Sequence, residues 1–210
     1  MAEAAPVRVW KVLGPARTPY HGGDKRKPWP PPGEWCEVKG ELRPCRHGLH
    51  LCGRGDLVQW LGPQIWEAEY DPMRPFLLVD GKIIAGCARL LRLVDSWTDE
   101  TARRFAADCA EHVLPIFECT FPGDLRPRKA IETAKRYAAG GISLKELSAA
   151  WSAALSADAA LSAAWSTALS ADAALSAARS ASRSADAALS EEYIWQTDHL
   201  FILLYGDANQ

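Results

Sequence analysis

The sequence has little net charge and lacks a long apolar run. Its 24 Lys and Arg residues are nearly balanced by 26 Asp and Glu residues, which gives a formal net charge of -2. Bulk electrostatics therefore give no reason to expect nucleic acid or a membrane as a partner. No window approaches the roughly 18 apolar residues of a membrane span, and the N-terminus MAEAAPVRVWKVLG lacks the regions of a signal peptide. We therefore expect a cytoplasmic protein.

The sequence also lacks the paired C-x-x-C spacing that is typical of structural zinc sites. Its six cysteines, in a chain without an export signal, are expected to remain thiols. The densest group is CRHGLHLC at 45–52, for which we expect a strand and turn with partly buried thiols and no metal ion. The alternative is a metal site, and its ligands would be Cys36, Cys45, His50 and Cys52.

Residues 1–95 have the patterns of a small β-rich domain. Partial alternation of apolar and polar residues predicts three strands, at 7–13, 34–42 and 64–71. In the last of these, Trp66, Ala68 and Tyr70 share one face. The pair Asp80-Gly81 between two apolar runs predicts a tight hairpin, because Asp-Gly readily adopts positive φ angles. Proline and glycine dominate 14–33, which predicts a surface loop.

Residues 96–210 have the patterns of an α-helical domain, which makes the predicted fold class α+β. Thr98 is expected to cap a helix whose apolar stripe runs from Ala102 to Ile116. Pro115 is expected to kink or end that helix. A second helix should begin near Pro127 and stop at Gly140-Gly141.

Glycine and proline are absent from 143–190, where the sequence repeats with a period of fourteen residues. The blocks LSAAWSAALSADAA, LSAAWSTALSADAA and LSAARSASRSADAA fill residues 147–188 without gaps. Ser143 and Glu146 have the spacing of a capping box, and alanine is the strongest helix former. We therefore predict a long Ser/Ala-rich helix whose Leu and Trp stripe is buried, either against the other helices or against another copy of the chain.

The motif FAADCAEHVLPIFE, followed by PGDLRPRKAIETAKRYAAGGIS and an alanine-rich tail, resembles a bacterial family of immunity proteins from polymorphic-toxin systems. The resemblance covers about residues 98–155 and implies a helical protein that binds a partner protein such as a toxin. The cluster DLRPRK offers cations for an acidic partner or a phosphate, and two tryptophans lie on the repeat stripe. The candidate partner-binding residues are Arg126, Arg128, Lys129, Trp151 and Trp165.

The first half of the chain, about residues 7–95, resembles an uncharacterised bacterial and phage domain that carries the motif C-x-x-G-[LIF]-H-x-C. The motif is formed here by Cys45, Gly48, Leu49, His50 and Cys52, and the segments DLVQWLG and IWEAEY follow it. This domain is often joined to repetitive C-terminal regions. The resemblance implies a module without a known activity.

Two further hypotheses compete with a binding protein. The order of His21, His50 and Glu67 or Glu69 is similar to that of NAD-handling ADP-ribosyltransferases, in which a carboxylate stabilises an oxocarbenium-like centre. Alternatively, the repeat could drive the assembly of a structural oligomer. Cys109 and His112 have the spacing of a nucleophile and base on one helix, but a core thiol is the interpretation we favour. Our preferred prediction is a non-enzymatic protein of immunity or antitoxin type, without a cofactor.

Overall fold

The structure is a computed structural model that describes residues 6–21, 27–79, 81–148 and 186–206. The chain divides into two compact units, Met1–Trp97 and Thr98–Gln210. In the described residues, the first unit contains the strands and the second contains the long helices, so the predicted α+β class is confirmed. Residues 149–185 of the repeat, including Trp151 and Trp165, lie outside the described residues.

In the part of the first unit that the structure describes, seven strands form two antiparallel sheets. In chain order they are β1 (Val7–Leu13), β2 (Cys36–Glu37), β3 (Leu49–Leu51), β4 (Gln64–Tyr70), β5 (Phe76–Val79), β6 (Lys82–Ala85) and β7 (Cys87–Leu93). The strand orders are β1-β4-β7-β2 and β3-β6-β5. An isolated bridge between Trp10 and Cys52 links β1 to the end of β3. Short 3-10 turns occur at Pro15–Arg17 and Leu57–Gln59.

The core of the first unit includes Trp66, Ala68 and Tyr70 of β4, so the predicted shared face is confirmed. The loop at 14–33 is not only a surface loop, because Trp29 is 8% exposed and belongs to this core. Its backbone is held by the Arg17 side chain, whose Nε donates to the Trp29 carbonyl at 3.0 Å.

Two other predictions for the first unit have opposite outcomes. The predicted hairpin is confirmed, since Val79 pairs with Lys82 and Gly81 has a φ of 68°. The strand predicted at 34–42 is mostly wrong, because only Cys36–Glu37 pairs with β7. Gly40, with a φ of 104°, takes the chain out of extended geometry.

The second unit begins with α1 (Asp99–Thr120) and α2 (Arg126–Ala138). The Thr98 cap is confirmed, because its hydroxyl accepts from the Thr101 N–H at 3.1 Å. Of the two outcomes expected at Pro115, a kink or the end of the helix, the second is wrong, since α1 continues to Thr120. Proline removes only one intrahelical donor, and the buried part of α1 around Phe105 precedes it.

The end of the second unit returns to α1. The capping box is confirmed by the Ser143 N–H, which donates to Glu146 at 2.8 Å, and residues 144–148 are helical. Leu147 is 5% exposed and packs in a cluster with Ala107 and Ala134. The last described helix, α3 (Asp186–Tyr205), packs against α1. No helix in the described residues is both long and apolar enough to cross a membrane.

Candidate functional site

The predicted basic cluster lies at the corner between α1 and α2, where both of its arginines are paired with carboxylates. Arg126 reaches the two oxygens of Asp124 at 2.8 and 2.6 Å, and Arg128 reaches those of Glu118 at 2.8 and 2.6 Å. The Arg126 guanidinium lowers the pKa of Asp124 to about 2. Lys129 is exposed. The corner is therefore a set of fixed ion pairs and not a strongly basic surface.

The same corner exposes three large apolar side chains within ten residues of chain. Ile116 is 59% exposed, Phe121 is 54% exposed and Leu125 is 52% exposed. The Phe121 ring also lies 5.0 Å from the ring of Phe117. Aromatic and aliphatic side chains bordered by arginines are typical of protein-binding surfaces. The sequence analysis identified the arginines and placed Ile116 on the apolar stripe of the first predicted helix, but it did not predict that these apolar side chains are exposed.

A second cluster joins the three helices through Asp108 of α1. Its carboxylate accepts from His199 Nε2 of α3 at 2.9 Å and from Lys135 Nζ of α2 at 2.8 Å. Burial alone would raise the pKa of Asp108, but these two hydrogen bonds outweigh burial and hold it below its usual value. Lys135 also binds Glu111 at 2.6 Å, and these bonds raise its pKa although burial opposes the shift. This cluster is a structural tie between the helices.

Aromatic rings extend the contact between α1 and α3. The His112 ring stacks on Trp195 with centroids 3.8 Å apart, and Trp195 stacks on His199 with centroids 4.8 Å apart. His112 Nδ1 lies 2.6 Å from Glu192. The sequence contained no signal for the contacts of His112, because its partners Glu192 and Trp195 are 80 or more residues away and lie beyond the repeat.

The pairing of Cys109 with His112 as nucleophile and base has no support. Cys109 is 1% exposed, and burial raises the pKa of its thiol. His112 faces Glu192 and Trp195 instead. The interpretation of Cys109 as a core thiol is confirmed.

The segment CRHGLHLC is a turn followed by β3, as predicted. Leu49 and Leu51 are buried on one face of β3, while the side chain of His50 lies on the opposite face. His50 Nδ1 lies 3.0 Å from the Gly48 carbonyl, and Nε2 accepts from the Cys45 N–H at 3.0 Å. Because Nε2 is the acceptor, the proton of the neutral imidazole lies on Nδ1, and both ring nitrogens have a hydrogen-bond partner. Burial is the main cause that lowers the pKa of His50.

The thiols of the alternative metal set have different environments. Cys52 is 2% exposed, and burial raises its pKa to about 12. Cys36 is half-buried, and burial raises its pKa as well. Cys45 is exposed and accepts from Lys82 Nζ at 3.1 Å. Among the described residues, no three Cys, His, Asp or Glu side chains are grouped so that they could hold a metal ion.

The first unit also contains a largely enclosed cation that the sequence analysis missed. Lys11 Nζ donates to the His50 carbonyl at 2.7 Å and lies 5.2 Å from the centre of the Trp29 ring. Burial lowers the pKa of Lys11 to about 8, against a smaller opposing effect of Cys52. Side chains alternate between the two faces of β1, and this alternation places Lys11 on the face directed toward the core. The position of Lys11 was the feature of the sequence from which its burial could have been predicted.

The four residues of the NAD-handling hypothesis bind different partners. Glu67 is 4% exposed and binds Arg92 at 3.0 and 2.6 Å. Glu69 binds Arg89 at 2.5 Å. His21 Nε2 lies 2.6 Å from the Trp60 carbonyl, and His50 is held by the turn described above. The two glutamates thus contribute to ion pairs between β4 and β7.

Comparison with known proteins connects the second unit to a family. Residues 92–189 match the family model described as Imm-5 like putative immunity protein, which supports the assignment of this region to an immunity-protein family. The resemblance predicted for residues 98–155 is therefore confirmed. No curated protein and no solved structure matches the chain. The match does not include residues 1–91, so the resemblance of the first half stays a prediction.

Proposed function

We propose, from the immunity-protein family assignment of residues 92–189, that the protein binds a toxin and occludes the surface through which that toxin acts. The observation that carries the proposal is this match, and the α1-α2 corner provides a surface suited to the task. The proposed activity is non-enzymatic, cytoplasmic and of antitoxin type.

The proposed docking surface is the α1-α2 corner, defined here as Ile116, Phe121, Leu125, Arg126, Arg128 and Lys129. Its apolar members would supply the favourable free energy of binding, because each loses exposed area when a partner covers it. Truncating a typical buried anchor of this kind weakens the binding free energy by about 2 kcal/mol or more. The repeat residues Trp151 and Trp165 remain candidates for a second contact.

The paired arginines at this corner would contribute orientation more than net charge. Each guanidinium is already held in place by a bidentate carboxylate, so binding would not require it to lose much further side-chain entropy. Lys129 adds an exposed positive charge near them. The partner surface that fits best is therefore apolar at its centre, with polar or acidic groups at its rim.

The experiment produces the chain in one cell together with a candidate toxin domain, chosen by searching the genes that flank its own, and measures growth. We expect the wild-type chain to restore growth and the double variant Phe121→Glu/Leu125→Glu to lose at least tenfold in protection. The matched control is Leu144→Glu, which places the same charge at a side chain that is 61% exposed outside the corner.

Circular dichroism and thermal unfolding of both variants would show that the helices are intact. Protection that is unchanged in the double variant would contradict the proposed surface. No protection by the wild-type chain would contradict the immunity function itself.

A further inference from the structure

Strand β5 is an apolar edge strand that leaves one side of its sheet open. In the order β3-β6-β5, it pairs only with β6 among the described residues. Phe76 is 38% exposed, Leu77 is 39% exposed and Leu78 is 71% exposed. Edge strands are usually protected from pairing with another strand by a short length, a charge, a bulge or a proline. Strand β5 is short, but its four residues, FLLV, include neither a charge nor a proline.

The register identifies the backbone groups on the open side. Val79 pairs with Lys82 across the two-residue turn, and the Pro75 carbonyl accepts from the Gly86 N–H at 2.8 Å. Residues alternate along an antiparallel ladder, so positions 75, 77 and 79 direct their backbone groups toward β6. The N–H and C=O groups of Phe76 and Leu78 consequently point away from the sheet.

We propose that this edge binds the same edge of a second copy of the chain, with the two β5 strands antiparallel and Leu77 on the two-fold axis. In this register, Phe76 of one copy faces Leu78 of the other. Each such pair exchanges two hydrogen bonds, so the two pairs satisfy all four N–H and C=O groups of each edge. A shift by one residue would leave these groups unmatched.

The charges that flank β5 in the sequence favour the same arrangement. Position 74 is an arginine and position 80 is an aspartate. In the register with Leu77 on the axis, the end of β5 that follows the arginine in the sequence lies next to the end of the other copy's β5 that precedes the aspartate. A parallel arrangement would align like charges. Arg74 already lies 3.1 Å from Glu37 and 3.9 Å from Asp71, so its charge contributes less to the dimer than the backbone register does.

The side chains of the second copy would cover the apolar surface that the edge exposes. Leu77 meets its own counterpart on one face, and Phe76 meets Leu78 on the other. On that second face, the ring centres of Phe76 and the core residue Tyr70 lie 5.1 Å apart, so the core would continue across the interface. A pair of four-residue strands is smaller than a standard interface, and the dimer should therefore dissociate on dilution.

The first experiment is sedimentation of the full-length chain over a range of concentrations. We expect the wild type to form a dimer as concentration rises, and Leu78→Lys to weaken it at least tenfold. Leu144→Lys is the matched control, because it adds the same charge to an exposed leucine outside the strand. A wild type that stays monomeric, or a dimer that Leu78→Lys leaves unchanged, would overturn the proposal.

The second experiment tests the register directly. Directly opposed residues without ladder hydrogen bonds have Cα atoms about 4.5 Å apart, which is within the range that a disulfide spans. In a chain with Cys45→Ser and Cys119→Ser, Leu77→Cys should form a disulfide-linked dimer under mild oxidation. Leu144→Cys in the same background should not. A dimer without this cross-link would assign assembly to another surface, such as the repeat, and would contradict the β5 register.

Discussion

Glu67 illustrates how a residue can have a functional pattern in the sequence and a structural contact in the fold. It stands on a predicted strand, in the order expected for the carboxylate of an NAD-handling enzyme. In the fold it is 4% exposed and its two oxygens bind Arg92. A carboxylate at this depth needs a cationic partner, since an unpaired buried charge is very costly. The sequence alone does not reveal which strand provides that partner.

Replacing this carboxylate by an amide tests the structural role. We expect Glu67→Gln to lower the free energy of unfolding by about 2 kcal/mol, because the charged hydrogen bonds to Arg92 are lost in a buried position. Glu41→Gln is the control, since Glu41 pairs with Arg43 on the surface and should contribute less than about 1 kcal/mol. Urea unfolding measures both. NAD hydrolysis by the wild type that Glu67→Gln removes without loss of stability would favour the enzyme hypothesis.

Element boundaries were predictable where the determining residues are adjacent in sequence. The Thr98 cap, the Gly81 turn and the Ser143-Glu146 box each depend on atoms within three residues. The contacts between helices were not predictable, because the Asp108-His199 hydrogen bond spans 91 residues. The prediction of an apolar stripe on α1 is only partly matched by the buried residues of that helix. Spacing shows which residues share a face, but not where the covering helix ends, so Ile116 is exposed.

The junction of the three helices should depend on the charge of Asp108. We expect Asp108→Asn to lower the free energy of unfolding by about 2 kcal/mol at neutral pH, because the hydrogen bonds from His199 and Lys135 lose their charged acceptor. The pKa of Asp108 lies below its usual 3.8 in the folded chain. Its stabilising effect should thus be complete above pH 3.8 and disappear as the pH falls through the folded pKa.

Denaturant unfolding of the wild type and the variant at several pH values measures this difference. Asp99→Asn serves as the control, because Asp99 is 92% exposed on the same helix and lies 3.6 Å from Arg103. A difference of similar size in both variants would show that Asp108 does not tie the helices together.

At the scale of the whole molecule, the two flanks of the repeat meet on α1. Leu147, at its start, packs near Ala107, and His199, beyond its end, binds Asp108. Leu147, the first residue of the predicted Leu and Trp stripe, is buried as expected. The burial of the members between residues 149 and 185 stays a prediction, because they lie outside the described residues. The α+β class and the resemblance of the helical region to an immunity-protein family could be predicted from periodicity and motifs. The open β5 edge could not, because exposure depends on the order of strands in the sheet.

The central proposal is that the α1-α2 corner binds a toxin, and hydrogen exchange of the full-length chain with and without the toxin that it protects against tests this proposal most directly. Backbone amides between residues 116 and 126 should exchange more slowly in the complex, because a covering partner excludes water and suppresses local opening. Amides of the first unit should exchange at the same rate in both samples. Slower exchange confined to residues 7–97, with the corner unchanged, would contradict the account.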